Sequence, residues 1–268
     1  GRLNRIFRGA RFGCVFLRSA PTNFGKSRFM VADACNFACD ELYDPEKKEW
    51  IPNGTSEPTI YITTEQSKDE VQTMMLSFVA GVPEDHILEN HYEGDELERV
   101  RKAIKIIKNS PLHIEELPDF GLQDVEDSIN RGIRKYGIRY VCFDYIHSSM
   151  KILSEIGGKA KIANLREDNA LFMMSVRLKD IARKYNIFLI SSTQLNGEYT
   201  EERVFDQNLL RGAKAIADKV DAGMIMLPVT EKDRESLRMF CEKNGLPMPD
   251  LKISIYKNRR GRYNHIYD

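Results

Sequence analysis

The sequence predicts an α/β fold: a mostly parallel, twisted sheet flanked by helices, with an antiparallel strand and hairpin extension at its C-terminal end. Three observations carry this. Short apolar runs alternate with stretches of helical period through most of the 268 residues, the pattern of a doubly wound sheet. Residues 13–28, GCVFLRSAPTNFGKSR, read as strand, loop, Gly-Lys-Ser and helix. Polar residues follow several apolar strands at their carboxyl ends, where open sheets bind ligands.

In order, residues 1–11 carry four arginines and form a lead-in to a single domain spanning 1–268. Cys14 to Leu17 is a buried strand, and FMVADACNFACDEL (29–42) is an amphipathic helix. The Pro-, Gly- and charge-rich stretch at 43–58 is a surface excursion. Ile60-Tyr61-Ile62 begins the next strand and Thr63-Thr64-Glu65 ends it. A helix at 67–80 places Val71, Met74, Met75 and Phe78 on one face, and one at 94–109 has Leu97, Val100, Ile104 and Ile107 as its stripe. Leu112-His113-Ile114 is a short strand. A helix at 122–136 spaces Leu122, Val125, Ile129, Ile133 and Tyr136 three or four apart. Arg139–Asp144 is a buried strand ending in an acid, and 148–164 reads as a loop. A long helix at 166–185, a strand at 187–191, a polar loop at 196–208, a short helix near 209–217 and a strand at 220–227 follow. The tail, 236–268, reads as antiparallel strands and turns.

Composition narrows the function. Forty basic and 40 acidic residues balance to zero, which excludes a strongly basic nucleic-acid coat but not positive charge confined to a channel. No run approaches the ~18 apolar residues of a membrane span, and no secretory segment opens the chain, so no membrane partner is expected. The chain starts at Gly1 rather than Met, which predicts a piece of a longer protein. Five cysteines, with no C-x-x-C pair, predict buried reduced thiols and a cytoplasmic compartment rather than zinc.

The stretch Ala20-Pro21-Thr22-Asn23-Phe24-Gly25-Lys26-Ser27-Arg28 carries the chemistry. In a phosphate-binding loop, backbone N–H groups and a helix N-terminus cradle phosphates, the lysine adds a charge, and the serine hydroxyl ligates Mg²⁺. Ala20 departs from the glycine that opens GxxxxGK[ST], which is tolerable where φ is negative. Asp144, ending a buried strand, suits Mg²⁺ coordination through water. Glu65 either polarises an attacking water or favours the dipole of the helix that follows. Gln194 either contacts a terminal phosphate or is a plain loop residue. Lys257 and Arg259, with Arg260 and Arg262, form either a solvated turn or a cationic finger supplied to a neighbouring subunit.

The ordered set APTNFGKS, YITTEQSKDE, YVCFDYIHSSM, LKDIARKYNIFLISSTQLN, LLRGAKAIADKVDAGMIML and KNRRGRYN resembles the RecA-like motor domain of DnaB-type replicative helicases, including phage and prophage versions. The LKxIAxxxN…SxTQLN and KNRxG blocks are its most specific parts. The resemblance implies a RecA-like P-loop NTPase fold and an ATP-dependent DNA helicase of 5′–3′ type, in the cytoplasm of a bacterium or of a phage's host. It implies ATP or another NTP with Mg²⁺, single-stranded DNA, a homo-hexamer, and a primase and helicase loader as partners. By position, Lys26 and Ser27 hold phosphates and Mg²⁺, Glu65 is the catalytic carboxylate, Asp144 the Walker B acid and Gln194 the γ-phosphate sensor. Lys257 and Arg259 are the trans-acting pair, Arg211 and Lys214 fall in the DNA-contacting loop, and 148–164 faces the same channel. Departures at Ala20, Asn23, Gln66 and Lys214 and the long 43–58 excursion imply a divergent member. The family's N-terminal primase-interacting domain lies outside the resemblance. The alternative is a RecA- or KaiC-like ATPase that forms filaments or rings without unwinding.

Overall fold

A parallel sheet with buried faces on both sides organises the chain. The computed structural model describes residues 6–147, 149–160, 167–195, 216, 219–259 and 265–267. In chain order the elements are β1 (Val15–Ala20), α1 (Lys26–Ala38), β2 (Glu41–Asp44), β3 (Glu49–Pro52), β4 (Thr59–Thr63), α2 (Lys68–Ala80), α3 (Glu84–Leu88), α4 (Glu96–Asn109) and β5 (Leu112–Glu116). There follow α5 (Leu122–Tyr136), β6 (Tyr140–Asp144), α6 (Met150–Ala160), α7 (Glu167–Lys184), β7 (Phe188–Gln194), β8 (Ala222–Pro228), α8 (Glu231–Asn244), β9 (Leu251–Asn258) and β10 (His265–Tyr267).

The main sheet has eight strands in the order β5-β4-β6-β7-β1-β8-β9-β10. The pairs from β5 through β8 are parallel. β9 and β10 add antiparallel strands beyond β8. Neighbouring parallel strands require crossovers, and the helices supply them on both faces. On one face Phe16, Tyr61, Cys142, Phe188 and Met224 pack with Met30 and Val31 of α1, Val71 and Met75 of α2, and Val100 of α4. On the other face Leu17, Ile62, Phe143, Leu189 and Ile225 pack with Val125 and Ile129 of α5 and Met174 and Leu178 of α7. Phe16 and Leu17 diverge because side chains alternate along a strand. Each such buried side chain contributes about 2 kcal/mol.

Several elements differ from the sequence reading. Residues 148–164 are not simply a loop, because 150–160 form α6. Ser149 starts it, accepting from the N–H of Ile152 at 3.1 Å and donating to the carbonyl of Phe120, and Ile152 is fully buried. The tail contains α8, begun by a capping box in which Thr230 and Asp233 satisfy each other's backbone N–H groups. The first helix ends at Ala38, and Glu41 and Leu42 belong to β2. The 43–58 excursion holds most of a hairpin with β3, where Tyr43 and Trp50 meet edge-on at 5.5 Å. Arg99 lies 4.4 Å from the Tyr43 ring and Lys102 4.2 Å from that of Trp50, so the hairpin lies against α4. The buried stripe of α4 is also rotated: Val100, Ala103 and Ile106 face the core, while Leu97 and Ile104 are exposed.

The short helix expected near 209–217 and the polar loop at 196–208 lie, apart from Ile216, outside the described residues. The five cysteines are free. Among the described residues, no helix is long and apolar enough to cross a membrane.

Candidate active site

The loop after β1 turns on two left-handed residues. Asn23 has φ 59° and Gly25 has φ 76°. Glycine adopts this region freely, and asparagine is among the few side chains that visit it at modest cost. Ala20 is not among the positive-φ residues. It ends β1 in register with Gln194 of β7, and its carbonyl accepts from the N–H of Leu195 at 3.2 Å. Ordinary strand geometry therefore accommodates alanine where the loop pattern has glycine.

Helix α1 begins at Lys26 with no side-chain cap and no acid in its first turn. By contrast α2 and α8 begin with capping boxes and acidic first turns. The first turn of α1 is thus uncapped by a side chain where it lines the cleft, as at an anion site. Lys26 is buried, and its Nζ donates to the carbonyl of Pro21 at 3.1 Å. Burial lowers its pKa below the ordinary lysine range, with Asp144 and Glu65 pulling it part of the way back.

Asp144, the last residue of β6, is 3% exposed. Its Oδ2 accepts from the Tyr61 hydroxyl at 2.6 Å and its Oδ1 from Ser192 at 3.2 Å. The Ser27 hydroxyl is also near enough to favour its charged form. Burial raises the Asp144 pKa, opposed by these hydroxyls and by the charge of Lys26. Such a carboxylate gains from a cation nearby. Among the described residues no cluster of three or more His, Cys, Asp or Glu could hold a metal alone. One carboxylate beside one hydroxyl nevertheless fits Mg²⁺, which takes most of its oxygen shell from water and substrate phosphates.

Glu65 lies between β4 and α2. The cap of α2 is made by Ser67 and Glu70, which leaves Glu65 ahead of the helix. Its Oε1 accepts from the Tyr145 hydroxyl at 2.7 Å. Gln194 ends β7, and its Nε2 donates to the same hydroxyl at 3.4 Å. Lys26, Ser27, Glu65, Asp144 and Gln194 all line one cleft of about 620 Å³, with Thr22, Asn23, Gly25 and Arg28. Arg28 stands at its mouth, joined to Glu84 of α3 by two hydrogen bonds of 2.7 and 3.0 Å.

Arg259 is elsewhere. Its Nη1 donates to Asp221 Oδ1 at 3.3 Å, and Asp221 Oδ2 accepts from the N–H of Val15 at 2.8 Å. Val15 starts β1 and Ala20 ends it. At about 3.3 Å per residue, Arg259 sits roughly 17 Å along the strand from the loop of its own chain. Lys257 pairs with Gly223 near the start of β8, at that same end of the sheet. Arg211 and Lys214 lie outside the described residues.

Sequence reasoning missed Tyr145, Tyr61 and Ser192. The available signal was an aromatic hydroxyl directly after a strand-ending acid, and hydroxyl residues inside otherwise apolar strands.

Comparison with known proteins bears on the family and the fold. Residues 1–267 match the family model described as DnaB-like helicase C terminal domain. The chain is 42% identical over 268 residues to the SPbeta prophage-derived uncharacterized protein YorI of Bacillus subtilis (strain 168), covering 98% of this chain and 53% of that protein. It is 22% identical over 206 residues to the replicative DNA helicase DnaB of Leifsonia xyli subsp. xyli, covering 76% of this chain and 41% of the helicase. It therefore spans about half or less of the length of these relatives. A solved ATPase domain superposes with a TM-score of 0.74 at 17% identity, covering 99% of this chain and 84% of that one. A DnaB-like replicative helicase, solved in a study of its interactions with primase, gives 0.74 at 16% identity over 99% of this chain and 57% of that one. These likenesses establish a RecA-like fold.

Proposed function

This chain belongs to the DnaB-like helicase C-terminal domain family, and from that premise we propose that it is the motor of an ATP-dependent DNA helicase. The observation that carries the reading is the convergence of Lys26, Ser27, Glu65, Asp144 and Gln194, from four strand ends, on one cleft.

In this reading the N–H groups of the loop and of α1, with Lys26, bind the β- and γ-phosphates. Ser27, and Asp144 through water, would hold Mg²⁺, which when bound neutralises charge on the phosphate oxygens. Glu65 accepts the proton of the attacking water. Gln194 contacts the γ-phosphate and passes its presence to the segment beyond β7. Arg259 and Lys257 complete the site of an adjacent subunit. The separation of Arg259 from the loop of its own chain supports that role, since it is beyond the reach of its own nucleotide. A homo-hexamer would close such head-to-tail contacts into a ring. Arg211 and Lys214 would contact single-stranded DNA, with 5′–3′ translocation, a primase and a loader as the family's further attributes. One domain, 1–268, would suffice for the motor.

The test is Mg²⁺-dependent ATP hydrolysis with and without single-stranded DNA, followed by unwinding of a forked duplex. The purified chain should hydrolyse ATP, and Lys26→Ala should lower the rate by roughly a hundredfold or more. A wild-type chain that neither binds nor hydrolyses ATP would overturn the reading. Hydrolysis without unwinding would favour the ring- or filament-forming ATPase instead.

A further inference from the structure

Tyr145 is where the separate pieces of the cleft meet. Its hydroxyl donates to Glu65 Oε1 at 2.7 Å and accepts from Gln194 Nε2 at 3.4 Å. Its ring lies 5.9 Å from Lys26 Nζ. Its backbone N–H donates to Thr64 Oγ1 at 3.1 Å, and the Thr64 hydroxyl donates to the carbonyl of Asp144 at 2.9 Å. The hydroxyl thus joins groups from the ends of β4 and β7, the ring faces the lysine that opens α1, and the backbone continues from the acid that ends β6.

We propose that Tyr145 is a positioning residue for ATP hydrolysis, its hydroxyl holding the Glu65 carboxylate for the attacking water and tying that pose to Gln194. The proposal rests on the nucleotide-hydrolase reading above. Glu65 lies on an exposed segment, where a long side chain samples many rotamers, and ordering it costs conformational entropy. A hydrogen bond present before substrate arrives meets that cost in advance. A carboxylate accepts at both oxygens, so a bond to Oε1 leaves Oε2 for the proton of water. A phenol donates and accepts at once, so a single hydroxyl can join an acid to an amide. When Gln194 turns to a terminal phosphate it gives up the longer of the two bonds, and Tyr145 keeps the shorter one to Glu65. The base is then already set when the phosphate arrives, and Gln194 is released to the phosphate.

Tyr145→Phe removes only the hydroxyl. The ring keeps its contacts with Lys26 and with His147, whose centroid is 5.2 Å away. The experiment compares steady-state ATP hydrolysis by wild type, Tyr145→Phe, Glu65→Gln, Gln194→Ala and the double variants, with thermal melting as the control for folding. Tyr145→Phe should lower kcat on the order of tenfold, as loss of positioning does, with KM within about twofold. In the Glu65→Gln background it should have no further effect, and its loss should combine less than multiplicatively with Gln194→Ala. A wild-type kcat in Tyr145→Phe, or full multiplication with Glu65→Gln, would overturn the proposal while leaving the hydrolase reading intact. If Tyr145→Phe melts early, the rates are compared below its melting temperature, where the folded variant must still lose kcat with KM nearly unchanged. A wild type that hydrolyses no ATP overturns both.

Discussion

Glu126 and Asp144 are both buried carboxylates, and their surroundings push them in opposite directions. Asp144 is dominated by desolvation, which raises its pKa. Glu126 accepts from Lys184 at 2.7 Å and from the Tyr185 hydroxyl at 3.0 Å, and it pairs with Arg177. Those partners, Lys184 foremost, lower its pKa below the usual glutamate value. A carboxylate depressed in the folded state contributes stability that is present above its unfolded pKa and lost as pH falls through the folded one. Glu126→Gln should therefore cost about 2 kcal/mol at neutral pH, and the difference should shrink to nothing in acid. Urea denaturation of both proteins at several pH values checks this. The same scale shows what was legible. Lys26, Ser27, Glu65, Asp144 and Gln194 could be picked out because each follows or ends an apolar run, a local feature. Tyr145 could not, because its hydroxyl partners lie 80 and 49 residues away. The role of Ser67 and Glu70 as the cap of α2, which leaves Glu65 unclaimed by the helix, also needed the backbone.

Among the elements, α5 was read to its ends because Val125 and Ile129 recur at helical spacing and pack on the sheet. The failures have physical causes. α6 carries Gly157 and Gly158, poor helix formers; it is begun by Ser149, whose cap bonds reach back to Phe120. In α8 only Cys241 is buried, while Met239 and Phe240 are exposed, so there is no apolar stripe to read. Its start is still encoded locally, in Thr230 and Asp233. Because packing adds little, the cap should matter more there than in a buried helix. Thr230→Ala should destabilise α8 by about 1 kcal/mol, read as faster amide exchange across 231–236 with the sheet amides unchanged. The β2–β3 hairpin was hidden for a different reason. Its stretch is polar and turn-rich, and it holds by cation contacts of Arg99 and Lys102 on Tyr43 and Trp50 from a helix about fifty residues on.

For the molecule as a whole, alternation of strands and helices made the parallel sheet legible, and family resemblance supplied what alternation could not. Strand order places the candidate groups at two ends of one sheet: Lys26, Glu65, Asp144 and Gln194 at the carboxyl end of the parallel strands, Lys257 and Arg259 at the other. That division is the reason to expect a site assembled from two copies of the chain. The most direct test is hydrolysis by co-expressed Lys26→Ala and Arg259→Ala chains. Each alone should be inactive, one lacking the proposed phosphate-binding lysine and the other the cation proposed to reach its neighbour. If the proposed rings form, an Arg259→Ala chain in a mixed ring keeps an intact loop, and a Lys26→Ala neighbour would supply the arginine. With random mixing about one interface in four is complete, so the mixture should recover roughly a quarter of wild-type ATP hydrolysis. A co-assembled mixture as inactive as either variant, or an Arg259→Ala protein that hydrolyses ATP at the wild-type rate, would contradict a site shared between subunits.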